Sequence, residues 1–286
     1  MIAVIGGNSQ LGQCFVSLAS FPLEIFYSNN LNLLQYSKIR ENLKSNQSRY
    51  LINFAAYNDV ESAESSKETN IINYIAVKEL AMHCAETNKI LINISSDYVF
   101  DGLKGNYIES DPTNPINKYG ESKMLGEQAI QEHAEEYIII RTSWLYSHLP
   151  TKNNFLNKLK PMLLKNNQTF SGANDVYASP TSALSLAEAL LHMIQHISTK
   201  DQSYKKIYHF CDRGRISRFK FLVELNKLFN LKFNLSNSVV PVSNSFFNLN
   251  ASRPADTSLN AELFDQNFDY KRAKWDTALQ NIINKI

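Results

Sequence analysis

Ser96 follows an apolar run at residues 90–94, and Tyr119 and Lys123 come a little further on, four residues apart. Side chains four apart on a helix share a face, so this phenol and this ammonium point into one site. A free phenol has a pKa of about 10, which makes it too weak an acid and too slow a base at neutral pH. A neighbouring ammonium favours the phenolate and moves the group toward the working range. Such a set suits the reduction of a ketone. Tyr119 would donate a proton, Lys123 would tune it and hold a cofactor ribose, and Ser96 would hydrogen-bond the carbonyl oxygen.

The Tyr-x-x-x-Lys spacing alone decides nothing, because the chain has 14 tyrosines and the pattern occurs at Tyr74/Lys78, Tyr119/Lys123 and Tyr270/Lys274. Only Tyr119 has a hydroxyl at the end of an apolar run shortly upstream. Its helix is expected to begin after Pro112-Thr113-Asn114-Pro115, where proline and asparagine mark a helix start.

These residues need elements to position them. Short apolar runs at residues 2–5, 23–27, 50–54, 90–94 and 137–140 read as strands buried on both faces. Helical periodicity lies between them, notably over 68–85 and 115–133. Strands that alternate with helices imply an α/β fold, a Rossmann-like doubly wound parallel sheet. Its first strand runs into Gly6-Gly7-Asn8-Ser9-Gln10-Leu11-Gly12 and then an apolar helix. Glycines there allow a tight turn and close approach of backbone to a pyrophosphate facing a helix N-terminus. Ser9 puts a side chain where the extended short-chain dehydrogenase spacing G-x-x-G-x-x-G has its middle glycine, so the loop is slightly degenerate. The second strand ends in Phe26-Tyr27-Ser28-Asn29-Asn30, with neither a carboxylate to repel a 2′-phosphate nor an arginine to grip one. NADPH and NADH both stay open.

After about residue 150 the regularity fades, with helical stretches at 181–196 and 217–229 between irregular ones. Residues 1–150 are therefore expected to form a dinucleotide-binding domain. Residues 151–286 are expected to form mainly a smaller, mixed α/β substrate domain, from which segments return to the first. The 44% hydrophobic and 20% charged content is that of an ordinary soluble enzyme. A formal net charge of +2 offers no argument for nucleic acid or an anionic membrane. The pairs Lys205-Lys206 and Lys271-Arg272 read as solvated surface. Cys14, Cys84 and Cys211 lack metal or disulfide spacing and read as small buried hydrophobes. With no signal-peptide pattern and no membrane-length apolar run, a cytoplasmic location is expected. His192 and His196 are four apart without a third ligand nearby and read as a helix face; Trp275 reads as packing.

Several motifs in order resemble the dTDP-4-dehydrorhamnose reductase family. They are Asn53-Phe54-Ala55-Ala56-Tyr57 with Asp59-Val60-Glu61-Ser62-Ala63-Glu64, then Ser96 to Gly102, Asp111 to Gly120, and Arg141-Thr142-Ser143-Trp144-Leu145-Tyr146. Asn153-Asn154-Phe155, Asp175 to Thr181 and Ala251-Ser252-Arg253-Pro254 continue the series, so the resemblance spans essentially the whole chain. It implies an extended short-chain dehydrogenase that reduces the 4-keto group of a nucleotide-linked deoxysugar, most simply dTDP-4-dehydro-L-rhamnose to dTDP-L-rhamnose. On it Ser96, Tyr119 and Lys123 take the catalytic roles. Gly6, Ser9, Gln10, Leu11, Gly12, Ser28, Asn32, Leu33, Ala56, Tyr57 and Asn58, with Tyr119 and Lys123, fall at the cofactor. Ser96, Asp97 and Trp144 fall at the sugar, and Arg253 at a substrate phosphate or in a structural salt bridge.

The chain departs from the family in places. Ser96 stands where threonine is usual, and Asn32-Leu33 where an acidic-apolar pair is common. Some relatives carry magnesium at a dimer contact, but Cys14 stands near one ligand position, so no metal is expected; a homodimer is compatible with the resemblance. Tyr98 occupies the place of the glutamate a nucleotide-sugar dehydratase needs, which argues against dehydration. An epimerase, and a non-catalytic NAD(P)-binding subunit like the regulatory subunit of methionine adenosyltransferase, remain as alternatives.

Overall fold

Alternate residues of a strand point to opposite faces of a sheet, and the short runs here are mostly apolar rather than alternating because both faces are covered. In the computed structural model, which describes residues 1–151, 154–199 and 204–286, six parallel strands form the central sheet. They are β1 (Ile2–Ile5), β2 (Leu23–Phe26), β3 (Tyr50–Asn53), β4 (Ile90–Ser96), β5 (Glu136–Thr142) and β6 (Lys205–His209), in the spatial order β6-β5-β4-β3-β1-β2. Ile2, Val4, Ile52, Ile92 and Ile138 face one core, closed by Leu11, Cys14 and Phe15 of α1 (Gln10–Leu18). The helix Ala183–Ser198, lying between β5 and β6 in sequence, covers the same face through Leu186, Leu190 and Met193. Ala3, Ile5, Leu51, Leu91 and Ile139 face the other core, under α2 (Ala76–Glu86) and α3 (Lys118–His133).

The order of the strands determines where a ligand can lie. β1 is flanked by β2 and β3, so the chain reverses its direction of travel across the sheet there. Crevices in such sheets open at that switch point, beyond the carboxyl ends of the strands. The loops after β1, β3, β4 and β5 all emerge on that edge.

β4 is longer than its apolar run because Ser95 and Ser96 stay paired with Arg141 and Thr142 of β5. The helical stretch read over 68–85 is real but contains a π turn, Ile71–Ile75. The second half of the chain builds a third core from Tyr146, Phe221, Phe229, Leu279 and Ile282, against which Trp275 packs. Short strand pairs such as Thr169–Ala173 with Ser238–Val242 make it mixed α/β. Two segments, β6 and the helix Ala183–Ser198, lie on the central sheet.

Cys14, Cys84 and Cys211 are free and buried. His192 meets the carbonyl of Phe268 at 2.7 Å, and His196 stands edge-on to the Phe268 ring. The surface reading fails for Arg272, which is buried, pairs with Asp265 at 2.8 Å and donates to the Cys211 carbonyl. Doublets of charge in sequence carry no sign that a carboxylate waits inside the fold. Asn153 lies outside the described residues. Among those described, no helix is long and apolar enough to cross a membrane, and no group of three or more His, Cys, Asp or Glu could hold a metal ion.

Candidate active site

A cleft of about 410 Å³ opens at the switch point. Its lining comes from Asn8 to Leu11 after β1, Phe54, Ala56 and Asn58 after β3, Ile94 to Tyr98 at the end of β4, Thr142 to Leu145 after β5, and Tyr119 and Lys123 on α3. Of the three Tyr-x-x-x-Lys pairs only Tyr119/Lys123 lies there. Tyr270 instead packs against Phe264 and His192.

The loop after β1 is shaped for a phosphate. Gly6 has φ +79°, and a Cβ there would come within 2.6 Å of the Ala55 nitrogen; only glycine fits. A Cβ on Gly12 would collide with the Gly6 carbonyl. Ser9 is no defect. It sits at φ −68°, where any residue is at ease, and its Oγ caps α1 by accepting the Gly12 N–H at 3.0 Å. The helix N-terminus thus keeps an ordered cap beside its free N–H groups. Such a cradle fits the pyrophosphate of a dinucleotide.

The loop after β3 is pinned from the π turn. Asn73 bonds both the N–H and the carbonyl of Tyr57 at 2.9 Å and donates to Ser122 of α3 at 3.0 Å. One buried amide therefore ties the Ala56-Tyr57-Asn58 segment to the helix that carries Tyr119. Ala56 and Asn58 line the cleft; Tyr57 supplies backbone. Ser28, Asn32 and Leu33 stand off it. Ser28 is exposed, Asn32 caps a 3₁₀ turn through Leu34 N–H at 3.0 Å, and Leu33 is in the core.

Tyr119 hydrogen-bonds Ser96, and burial raises its phenol above the ordinary value. Lys123 donates to the Ile94 carbonyl at 2.7 Å; burial lowers it to about 8, with Glu127 pushing the other way. In this arrangement burial is the main influence on the Tyr119 phenol, and the Lys123 amine is engaged by the Ile94 carbonyl. The amine is turned to β4 rather than to the ring.

Asp97 is buried, and both its oxygens accept hydroxyl hydrogen bonds: Ser96 at 3.1 Å, Ser143 at 2.7 Å and Thr257 at 2.5 Å. Burial raises its carboxyl to about 6, against those hydrogen bonds. Trp144 holds φ +39°, unusual for a bulky residue, and its indole N–H is buried without a partner. Backbone outliers of this kind concentrate at functional sites. Arg253 does not line the cleft: it pairs with Glu61 at 2.5 Å and lies 5.9 Å from the Tyr98 ring. The guanidinium that does line it is Arg218, 4.5 Å from the Trp144 ring and hydrogen-bonded to Tyr98. Arg218 follows no motif in the sequence; only folding brings the helix Arg218–Phe233 over the β5 loop.

A parallel doubly wound sheet, a glycine cradle after β1 and a Ser/Tyr/Lys set at the ends of β4 and α3 define an extended short-chain dehydrogenase/reductase, an NAD(P)-dependent oxidoreductase. The comparisons agree. The family model described as RmlD substrate binding domain matches residues 1–286. The dTDP-4-dehydrorhamnose reductase of Salmonella typhimurium is 30% identical over 254 residues, 87% of this chain and 83% of its own; that of Sinorhizobium fredii is 28% identical over 99% of this chain and 96% of its own. A Bacillus anthracis dTDP-4-dehydrorhamnose reductase, solved with NADP, superposes with a TM-score of 0.88 at 28% identity, covering 100% of this chain and 99% of that one. The chain belongs to the dTDP-4-dehydrorhamnose reductase family.

Proposed function

We propose that this protein reduces the 4-keto group of a nucleotide-linked 6-deoxyhexulose, most simply dTDP-4-dehydro-L-rhamnose to dTDP-L-rhamnose. The observation that carries the reading is the meeting of Tyr119, Lys123 and Ser96 in one cleft with the glycine cradle. Family membership supports it, and so does Tyr98 in the place where dehydration needs a carboxylate.

Gly6, Ser9, Gln10, Leu11, Gly12, Ala56 and Asn58 hold the dinucleotide, and Lys123 its nicotinamide ribose. When bound, NADPH or NADH supplies the hydride for C4. The Tyr119 hydroxyl gives its proton to O4 as the carbonyl carbon is reduced, and Ser96 and Asp97 fix the position of that hydroxyl. Trp144 bounds the sugar. Residues 1–150 are the cofactor-binding part and 151–286 mainly the substrate-binding part, with β6 and the helix Ala183–Ser198 serving the central sheet.

The test is oxidation of NADPH or NADH by the purified protein across a panel of nucleotide 4-ketosugars. Wild type should consume cofactor only with a ketosugar present. Tyr119→Phe should lose on the order of 10²–10⁴ in kcat, the scale of a proton-transfer contribution, while still binding cofactor. Undiminished turnover in the Phe variant would remove Tyr119 from the reaction.

A further inference from the structure

Directly behind the cleft lies a buried pair of charges that the reaction itself does not use. Glu127 is one helical turn beyond Lys123 on α3, and Arg141 is on β5; each is 3% exposed. Arg141 grips both Glu127 oxygens, Nη2 at 2.6 Å and Nε at 2.9 and 3.2 Å. The Ser95 hydroxyl donates to Glu127 Oε1 at 2.5 Å. Lys123 meets the neighbouring carbonyl, Ile94, at 2.7 Å. Lys123 and Glu127 thus reach the end of β4 at consecutive residues. Between them they clamp α3 against the strand that carries Ser96.

A buried ion pair is a doubtful source of stability, because taking both charges out of water costs about as much as their attraction returns. Its persistence here asks for another role. Lys123 is itself 6% exposed and has lost most of its hydration. Desolvation favours a neutral amine. A neutral Lys123 would be a poorer partner for an electron-rich ribose and a developing phenolate.

We propose that Glu127 is a positioning residue of the proposed reductase: anchored by Arg141 and Ser95, it sets the register of α3 against β4 and supplies the counter-charge that keeps Lys123 an ammonium at neutral pH. The inference rests on the catalytic reading above. Around Lys123 the titratable or charged groups are Tyr119 and Glu127 on α3, Asp97 and Tyr98 beyond β4, Arg141 on β5 and His209 on β6. Burial lowers Lys123 to about 8, and of these groups Glu127 is the one that acts on it, upward. The sign follows: Lys123 loses its proton as pH rises through about 8, and without Glu127 that loss moves to lower pH.

The experiment uses the full chain with saturating NADPH. Glu127→Gln alone would strand a buried guanidinium, so the informative variant is Glu127→Gln with Arg141→Met, which removes both charges at similar volume. Its Lys123 Nζ, followed by ¹⁵N NMR in lysine-labelled protein and assigned with Lys123→Arg, should titrate about one to three units lower than in wild type. The alkaline limb of kcat should shift with it, and Glu127→Asp, which keeps the charge, should restore the Nζ titration while kcat stays depressed. A folded double variant whose Nζ titration and kcat profile overlay those of wild type overturns the proposal. So does a wild-type Nζ that is already neutral at pH 7, whether or not the variant folds. The titration needs no turnover, so a wild type with the expected Nζ but no activity on any 4-ketosugar sinks the functional reading, and with it the role in catalysis, while the dependence of the Lys123 charge on Glu127 is still decided by the variant's Nζ.

Discussion

The Oγ of Ser96 lies 3.1 Å from Oδ1 of Asp97, and it donates. An ionised carboxylate can only accept, so Ser96, Ser143 and Thr257 must all point their protons at Asp97. That leaves the Ser96 oxygen as an acceptor, already taken up by the Tyr98 N–H at 3.2 Å and open to Tyr119. The Tyr119 proton is therefore held in place by an oxygen whose own proton is committed elsewhere. Asp97 is exposed to titration in a useful range, its carboxyl being raised by burial to about 6. Below that pH it gains a proton, the hydroxyls are free to turn, and the alignment loosens. Wild-type kcat is expected to fall on the acid side with an apparent pKa near that value. Asp97→Asn should lose that limb and run about 10- to 100-fold slower at pH 7.5, the scale of a hydrogen bond to a charged group. An acid limb unchanged in the Asn variant would assign it to another group.

Arg218 and Trp144 form the other relationship that matters for substrate. The guanidinium lies over the indole at 4.5 Å and bonds Tyr98, and among the described residues no carboxylate pairs with it. Arg253, by contrast, already has Glu61. A guanidinium suits the bidentate capture of phosphate oxygens. Arg218→Gln is expected to raise KM for the nucleotide sugar about 10- to 100-fold, the loss of charged hydrogen bonds, with KM for NADPH within about two-fold. If the larger change falls on NADPH, Arg218 serves the cofactor instead.

Ser9 offers a test of the cofactor loop that separates folding from binding. Its hydroxyl caps α1, and loss of such a cap costs about 1 kcal/mol. Ser9→Ala should lower the unfolding free energy by about that amount in urea titrations while Kd for NADPH changes by less than about three-fold. A large loss of affinity with no loss of stability would mean that the hydroxyl binds the cofactor directly.

These residues also mark where the sequence could be read and where it could not. The five strands preceding residue 150 follow from short runs that are mostly apolar rather than alternating, as burial on both faces requires, and the helix that carries Tyr119 follows from the prolines and asparagine before it. The Ser96/Tyr119/Lys123 set was legible because its order along the chain matches the order of the strand ends. Ser9 read as a flaw because spacing rules count glycines, whereas backbone φ decides which of them are needed. Asp97 reads as a sugar contact and does line the cleft, but the sequence gives no sign that its Oδ2 also accepts from Ser143 and from Thr257, the latter 160 residues away. Arg218 likewise comes to the cleft from a distant segment, while Glu127 with Arg141 and Arg272 with Asp265 pair across only 14 and 7 residues but between different elements, and no local pattern announces them.

His209 makes the fold's response to acid measurable. It is fully buried on β6, with Nδ1 at 3.0 Å from the Tyr107 carbonyl and 3.1 Å from that of Asn260, and Nε2 at 3.5 Å from Arg141. Burial and then Arg141 lower it from 6.5 to about 3. The neutral ring donates from Nδ1 to the carbonyls and leaves Nε2 unprotonated toward the guanidinium. An unfolded chain binds a proton at this histidine between pH 6.5 and 3 and the folded chain does not. Its contribution is therefore whole above pH 6.5 and is lost as pH falls, by about 1.4 kcal/mol per unit. Asp97 and Asp212, raised to about 6 and about 7 by burial, act in the opposite sense over part of that window. The histidine must accordingly be read as a difference between two proteins that share those acids. The gap in unfolding free energy between wild type and His209→Asn should narrow by about that amount per unit from pH 6.5 to 4, followed by urea unfolding. A gap that stays constant would show that His209 is protonated in the folded protein as readily as in the unfolded one.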